Sequence, residues 1–385
     1  MGNRLNQPGA MVTAAVINPI RIPECSAFVD DVRTGVTARR RKSDPLDKET
    51  LLDLFSRLDS YGYLGNVIEI EQGGAGLGYV GFGLLLESLA DGLAFLGNHS
   101  VQRYLAASAP ENPWLPRLLA GTAIGAVAIT EPAAGTDVRS LTTTAKREAG
   151  RWVLRGKKTW VTHAPVADVI IVLAYIMDGG GKRRDLARFV VPARADGVSV
   201  TPFAVSGLAH LTFGHVELTD VSISPEACVD PEGDGFEQIL SAFSTARAFV
   251  AVQAAAIAAA LVRHAKEFVS SRVQFGRPLS TLPMIRAQLA EIDARAEAAQ
   301  LLAYAALTTL DSKAPDAEAR AAQAKFYCTE AAVEIGEATI RLLAGHGLVA
   351  GHPVGRLLAD ARLLQVADGT PNINRMVAGR LLLAD

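Results

Sequence analysis

Four short stretches hold residue types that could do chemistry. The first is Ala128–Asp137, reading AITEPAAGTD. Ala126 to Ile129 has the look of a short buried strand, and Thr130 to Asp137 that of a turn. Thr130, Thr136 and neighbouring N–H groups offer convergent donors of the kind that hold a phosphate or a heteroaromatic edge. Gly135 lets the backbone come close to a ligand. The second stretch is Lys158-Thr159-Trp160-Val161-Thr162. Trp160 and Thr162 are two apart on an expected strand, so they share a face. An indole wall beside a hydroxyl suits a flat redox ring. The third, RVQFGRPL from Arg272 to Leu279, follows a long helix. A guanidinium and an aromatic ring three residues apart could clamp a pyrophosphate and cover an adenine. The fourth, Gln365 to Arg375, places one carboxylate, Asp368, in a DGTPN segment. Each stretch alone also has a plain structural reading: a turn, a core tryptophan, a surface arginine at a helix end, and a turn into a helix N-terminus.

The elements that must position these residues follow from periodicity. A chain of 385 residues is long for one core and implies two or three domains. Helical spacing is clear over Asp47–Tyr61, where Leu51, Leu52, Leu54, Phe55 and Leu58 recur, and over Tyr79–Ala94, His99–Ala107 and Trp114–Ala120. Pro23–Val36 reads as an earlier helix, residues 1–20 as an arm, and Arg39–Lys42 as a solvated basic loop. Gly62–Gly78 is glycine-rich but is not a GxGxxG after a strand, which rejects a dinucleotide-binding βαβ unit. From Ile124 the period changes to two. Strands are expected at Thr142–Lys146, Trp152–Thr162, Val169–Tyr175, Arg188–Val191, Val198–Thr201 and Gly214–Leu218, with a loop at Asp178–Arg184. Helix returns at Gly233-Asp234-Gly235 and runs to about Arg272, then over Pro283–Leu310, Pro315–Ala344, Pro353–Leu363 and Asn372–Leu383. The abundant alanine there favours close helix–helix approach. The fold class is therefore α+β, mainly α. An N-terminal helical domain spans 1–123, a central antiparallel β-barrel domain 124–231, and a C-terminal four-helix bundle 232–385.

Bulk properties exclude several functions. The formal net charge of −2 gives no case for nucleic acid or an anionic membrane surface. Cys25, Cys228 and Cys328 lack CxxC or Cys/His spacing, and the seven histidines form no cluster, so no metal site is expected. The longest apolar helix stretch, Phe249–Val262, is interrupted by Gln253 and too short to span a bilayer. No basic-then-apolar leader opens the sequence. The expectation is a soluble, cytoplasmic protein with no membrane or nucleic-acid partner.

Taken together, the stretches resemble the acyl-CoA dehydrogenase family over nearly the full length. Ala128–Ser140 resembles the family's first fingerprint, and Lys158–Thr162 its flavin-facing strand. Arg272–Leu279 resembles the RxQFGxPL motif, with Leu282-Pro283 where Phe-Gln is usual. Arg341–Gly347 is similar to the QxxGGxG turn, with Arg341 for Gln and Ala344 for Gly. Gln365–Arg375 resembles the YEGT segment, with Asp368 in place of the usual Glu and Ala367 in place of Tyr. The resemblance implies FAD as cofactor. Ile129, Thr130, Gly135, Thr136, Trp160 and Thr162 would face it; Arg272 would meet its pyrophosphate, and Gln274 and Phe275 its adenosine end. Arg341, Gly345, Thr370 and Asn372 are further implied contacts. Because the motif's arginine and aromatic serve a neighbouring subunit, a homo-oligomer with shared FAD sites is implied, a dimer or homotetramer.

The implied reaction is α,β-dehydrogenation of an acyl thioester, on CoA or an acyl carrier protein, with electrons passed to an electron-transfer flavoprotein. Asp368 would remove the α-proton, its pKa raised by desolvation. The hydride would leave Cβ for flavin N5. The Asp368 backbone N–H and a ribityl hydroxyl would stabilise the thioester oxygen. Gly369 and Arg247 would approach substrate, Arg247 at the CoA or carrier phosphate. Some relatives place the base just before the matching arginine, but that position here is Ala246. Aspartate is one methylene shorter than glutamate, so its oxygens retreat by roughly 1–1.5 Å, and misplacement on that scale costs about 100-fold. A substrate bulkier near Cα would meet it. Two alternatives stand beside this reading: a flavin oxidase or monooxygenase on the same fold, nitroalkane oxidase-like or N-hydroxylating, and a non-catalytic subunit of a hetero-oligomeric dehydrogenase. Asn98 and His99 lie near the helix implied to line the acyl end, with His99 expected to be a satisfied core residue.

Overall fold

A computed structural model describes residues 45–97, 99–230 and 235–383. The expected arm, the helix at Pro23–Val36, the basic run, Cys25, Asn98 and the Gly233-Asp234 entry lie outside the described residues.

Among the described residues four helices come first: α1 (Lys48–Asp59), α2 (Gly78–Leu93), α3 (His99–Ser108) and α4 (Trp114–Leu119). Asp47 caps α1 by accepting from Thr50 N at 2.8 Å, which satisfies an otherwise orphaned helix donor. The glycine-rich stretch before α2 is turns around a short 3₁₀ segment, Ile70–Gln72. Seven strands follow: β1 (Gly125–Ala128), β2 (Thr144–Glu148), β3 (Arg151–Thr162), β4 (Val169–Met177), β5 (Arg183–Pro192), β6 (Val198–Phe203) and β7 (Phe213–Ile223). The last third is helical: α5 (Gly235–Ser271), α6 (Pro283–Asp311), α7 (Ala317–Leu343), α8 (Pro353–Val366) and α9 (Pro371–Leu382). Between α5 and α6 lies a small hairpin, β8 (Val273–Gln274) and β9 (Arg277–Pro278).

The sheet is curled and open, and it is not purely antiparallel. Strand β4 pairs in parallel with β1 and β2 and antiparallel with β5, while β3 pairs antiparallel with β2 and β7, and β7 with β6. Alternation alone carries no pairing direction, so the two parallel contacts were not readable from it. Strand β5 begins five residues before the expected Arg188, within the segment read as a loop. Its first residues, Arg183 to Asp185, are exposed and polar and so leave no apolar alternation.

The N-terminal helices do not make a core of their own. Leu51, Phe55, Phe82 and Leu89 belong to one continuous buried cluster with Phe249, Leu261, Ala299, Cys328 and Leu364 of the bundle. The sheet has a separate core around Leu154, Ile170, Phe189 and Val216. Long-range polar contacts lock the layers together. The Asp311 carboxylate, at the end of α6, accepts from Tyr79 N and Val80 N at 2.6 and 2.9 Å. Arg188 on β5 pairs with Asp230 and donates to Ser108 Oγ of α3 at 2.8 Å.

Helix α5 is long and apolar enough to cross a membrane by length and composition, more so than the Phe249–Val262 stretch taken alone. Its most apolar window is 83% buried, however, which makes it the central helix of the core.

Candidate active site

The first two motifs fold against each other. Lys158 donates to the Ile129 carbonyl at 2.9 Å, and Thr159 N to the Thr130 carbonyl at 2.8 Å. The turn after β1 is thereby stitched to the end of β3. Ile129 and Thr130 are half-buried, while Gly135 and Thr136 face outward. Trp160 sits in a β-bulge between Lys158 and Val161, with φ of 58°. That left-handed backbone is uncommon for a bulky residue and marks a constrained site. Val161 is buried while Trp160 and Thr162 keep accessible surface; the bulge interrupts the plain two-residue alternation expected there. The indole is 55% exposed. Phe203 meets it edge-on at 5.2 Å and Phe213 at 6.4 Å. A propped, outward indole next to convergent hydroxyls fits the ring system of a flavin.

An unforeseen ion pair holds this surface. Glu131 and Lys158 lie 2.9 Å apart with side chains 3% and 0% exposed. The carboxylate accepts five hydrogen bonds: N–H and hydroxyl of Thr142, N–H and hydroxyl of Thr143, and the ammonium. Burial pushes the Glu131 carboxyl up, but Lys158 and the two threonines outweigh it and hold it at about 2. Burial pulls Lys158 down to about 8 in spite of Glu131. The two partners thus read the same pair differently. The five donors decide for the ionised pair, because an uncharged acid could not satisfy them all.

Asp368 forms a second centre, at the bend between α8 and α9. Its φ of 50° and the 98° of Gly369 turn the chain sharply there. The residue itself is half-buried. Burial raises its pKa; Lys325, Arg247 and Arg103 oppose that in decreasing order. Arg247 is 5% exposed, 3.6 Å from Glu318, and its Nε and Nη1 find no hydrogen-bond acceptor among the described residues. Arg103, on α3, lies 5.8 Å from the Phe249 ring and lines a cavity of about 240 Å³ with Tyr79, Tyr104, Gln238 and Ser241 among others. Gly369 and Thr370 are half-buried beside Asp368, and Asn372 is exposed on the first turn of α9.

The β domain is docked onto α8, the helix that precedes Asp368. Leu208 N donates to the Asp360 carboxylate on α8. A side chain at Gly207, whose φ is 99°, would lie 2.2 Å from the Ala359 carbonyl, so only glycine fits that approach.

The remaining motif residues gather elsewhere. Arg272 follows the last residue of α5, and Phe275-Gly276 forms a two-residue turn with φ of 53° and 75° between β8 and β9, in keeping with the helix end and turn expected. Phe275 is 90% exposed; Arg272 and Gln274 are exposed too. Phe268 packs against His346 at 5.2 Å, which places the exposed Arg341 and Gly345 at the same end of the bundle. Along α7, Arg341 is sixteen residues from Lys325, about 24 Å at 1.5 Å per residue. This end is therefore remote from Asp368 within one chain. Ala344, in the glycine position of its motif, has φ 50° and ψ −135°.

Two corrections concern buried polar residues. His99 is buried as expected but is not satisfied: neither ring nitrogen has a hydrogen-bond partner among the described residues. It packs edge-on against Tyr63 and Phe82, and burial holds it neutral with a pKa near 3. Lys325 was missed altogether. It is fully buried on α7 and donates to the carbonyls of Gln365 and Gly369 at 2.8 and 2.5 Å. Ala321, Ala322, Cys328 and Thr329 surround it at helical spacing and are all buried, a pattern that marks position 325 as inward-facing.

The helical layers and the curled sheet match known proteins. Residues 126–221 match the family model "Acyl-CoA dehydrogenase, middle domain", and 233–383 match "Acyl-CoA dehydrogenase, C-terminal domain". Among curated relatives, the acyl-CoA dehydrogenase of Bacillus subtilis (strain 168) is 30% identical over 345 residues, covering 86% of this chain and 89% of that one. Cyclohex-1-ene-1-carbonyl-CoA dehydrogenase of Geobacter metallireducens is 31% identical over 385 residues, covering 92% and 96%. Butyryl-CoA dehydrogenase from Megasphaera elsdenii superposes with a TM-score of 0.86 at 27% identity over the whole of both chains. The fold is that of an acyl-CoA dehydrogenase. The chain belongs to the acyl-CoA dehydrogenase family, FAD-dependent oxidoreductases acting on CH–CH bonds.

Proposed function

We propose that this chain catalyses FAD-dependent α,β-dehydrogenation of an acyl thioester, carried by CoA or an acyl carrier protein, with Asp368 as the base. The observation that carries the reading is Asp368 at the left-handed bend between α8 and α9, its carboxyl raised by burial and opposed by the charges of Lys325, Arg247 and Arg103. Raising a carboxylate's pKa makes it a better base for an α-proton, and the three cations oppose that rise. Bound FAD supplies the hydride acceptor at N5.

The chain's own residues do the rest. Ile129, Thr130, Gly135 and Thr136 line the turn that would hold the flavin, with Trp160 as a wall and Thr162 as a donor. Thr370 and Asn372, just past the base, would bond the cofactor from the bundle side. The Asp368 N–H would donate to the thioester oxygen, where charge develops. Gly369 leaves backbone access to substrate, and Arg247 supplies positive charge beside the base. Ala367 and the short Asp368 leave room for an acyl group substituted near Cα.

The exposed Arg272, Gln274, Phe275, Arg341 and Gly345 suit a cofactor bound by another copy. That placement supports a homo-oligomer, dimer or tetramer, and the reading takes an electron-transfer flavoprotein as the electron acceptor. The test is anaerobic mixing of the yellow holoenzyme with a panel of acyl thioesters. Loss of flavin absorbance with a subset of them supports the reading; no loss with any thioester refutes it.

A further inference from the structure

We propose that Lys325 is a positioning residue for the base: its buried ammonium clamps the two carbonyls that bracket Asp368 and sets a positive charge against the carboxylate. The inference rests on Asp368 being the base.

Lys325 reaches from the middle of α7 to Gln365 O at 2.8 Å and Gly369 O at 2.5 Å. The first belongs to the last turn of α8, the second to the residue just after Asp368. An ammonium at a helix C-terminus meets the negative end of the helix dipole and satisfies carbonyls that lack helical partners. Asn374, also fully buried, donates to the same Gly369 carbonyl at 2.9 Å and to the Thr370 carbonyl at 3.0 Å. The segment from 365 to 370 is thus held from two helices, and the left-handed backbone of Asp368 is fixed between the holds.

A fully buried lysine is expensive unless paired. No carboxylate lies within ion-pair distance of Lys325 among the described residues, and Asp368 is the first charge that favours its protonated form. Burial lowers the lysine to about 8, with Arg247 adding to that and Glu330 opposing it. Glu330 is engaged by Arg375, and Arg247 by Glu318. The groups facing Asp368 are Lys325 from α7, Arg247 from α5 and Arg103 from α3; Lys325 acts on it most strongly. One lysine therefore supplies both geometry and charge. For a base one methylene shorter than usual, both matter more.

The experiment measures the pH dependence of anaerobic flavin reduction in parent, Lys325→Gln, Lys325→Met and Asp368→Asn holoenzymes. Loss of the ammonium is expected to move the acid limb up by about one pH unit or more. It should lower the limiting rate by about tenfold or more while KM changes by less than about threefold. Lowered thermal stability with the acid limb and the rate unchanged would mean a merely structural lysine and would overturn the proposal. Should the Lys325 variants not fold, the Asp368→Asn protein carries the test. Its Lys325 side chain, followed by NMR of ε-13C-lysine, is expected to titrate below its parental pH, and an unchanged titration overturns the proposal. Flavin reduction in Asp368→Asn at the parental rate would instead sink the assignment of the base itself.

Discussion

Replacing Glu131 by Gln should destabilise the fold by about 3–5 kcal/mol, the usual cost of removing one partner from a buried ion pair. The structure places the change near the top of that range. The amide nitrogen is itself a donor and would face the donors of Thr142 or Thr143, so hydrogen bonds are lost on one side and repulsion appears. Lys158 would keep the Ile129 carbonyl but no counter-charge. Lys158→Met should cost less, about 2–3 kcal/mol, because four donors still hold the carboxylate. Urea unfolding at fixed protein concentration, followed by circular dichroism, measures both. The pH dependence adds a signature. Glu131 is held at about 2, below its ordinary 4.5; its stabilising share is present above 4.5 and is lost as pH falls through about 2. Parental stability should therefore fall more steeply than that of the Gln variant between about pH 4.5 and 2. Since the pair stitches the flavin turn to β3, the Gln variant should also retain less FAD. A cost below about 1 kcal/mol with full FAD content would refute this role for the pair.

Three further outcomes are expected. Ala344→Gly should stabilise by about 1 kcal/mol, since relief of left-handed strain (about 1–3 kcal/mol) exceeds the entropy cost of glycine (about 0.5–1 kcal/mol); thermal unfolding would show it, and a loss of stability would contradict it. Arg103→Met should raise the acid limb of flavin reduction by less than Arg247→Met, following the order in which the two act on Asp368; a reversed order would contradict the geometry. Asp368→Glu should shift preference from acyl groups branched near Cα toward straight chains by up to about 100-fold in relative kcat/KM, and an unchanged ratio would mean that side-chain reach does not set selectivity.

Much of the fold was legible because its helices are long and strongly periodic, as in α5 and α1, and because β2, β3 and β7 alternate. What was not legible depends on partners distant in sequence. Glu131 and Lys158 are separated by 27 positions and read singly as a turn residue and a strand cation. The common core of Phe82, Phe249 and Ala299 joins segments that sequence order assigns to separate domains. Lys325 carried no signal of its role because its two acceptors are carbonyls 40 and 44 residues away. The site motifs were legible as a set, through the order of Thr130, Trp160, Arg272 and Asp368. That Arg272 and Phe275 serve another copy was implied by the resemblance; how far they lie from Asp368 was not legible, because it depends on the length of α7 and on which turns remain exposed.

The most direct trial of the central claim is a single anaerobic mixing of Asp368→Asn holoenzyme with a thioester that reduces the parent. The variant should stay yellow with FAD bound in full, its flavin reduced at least about 1,000-fold more slowly, the loss expected when an essential base is removed. Reduction as fast as in the parent would show that another group takes the proton.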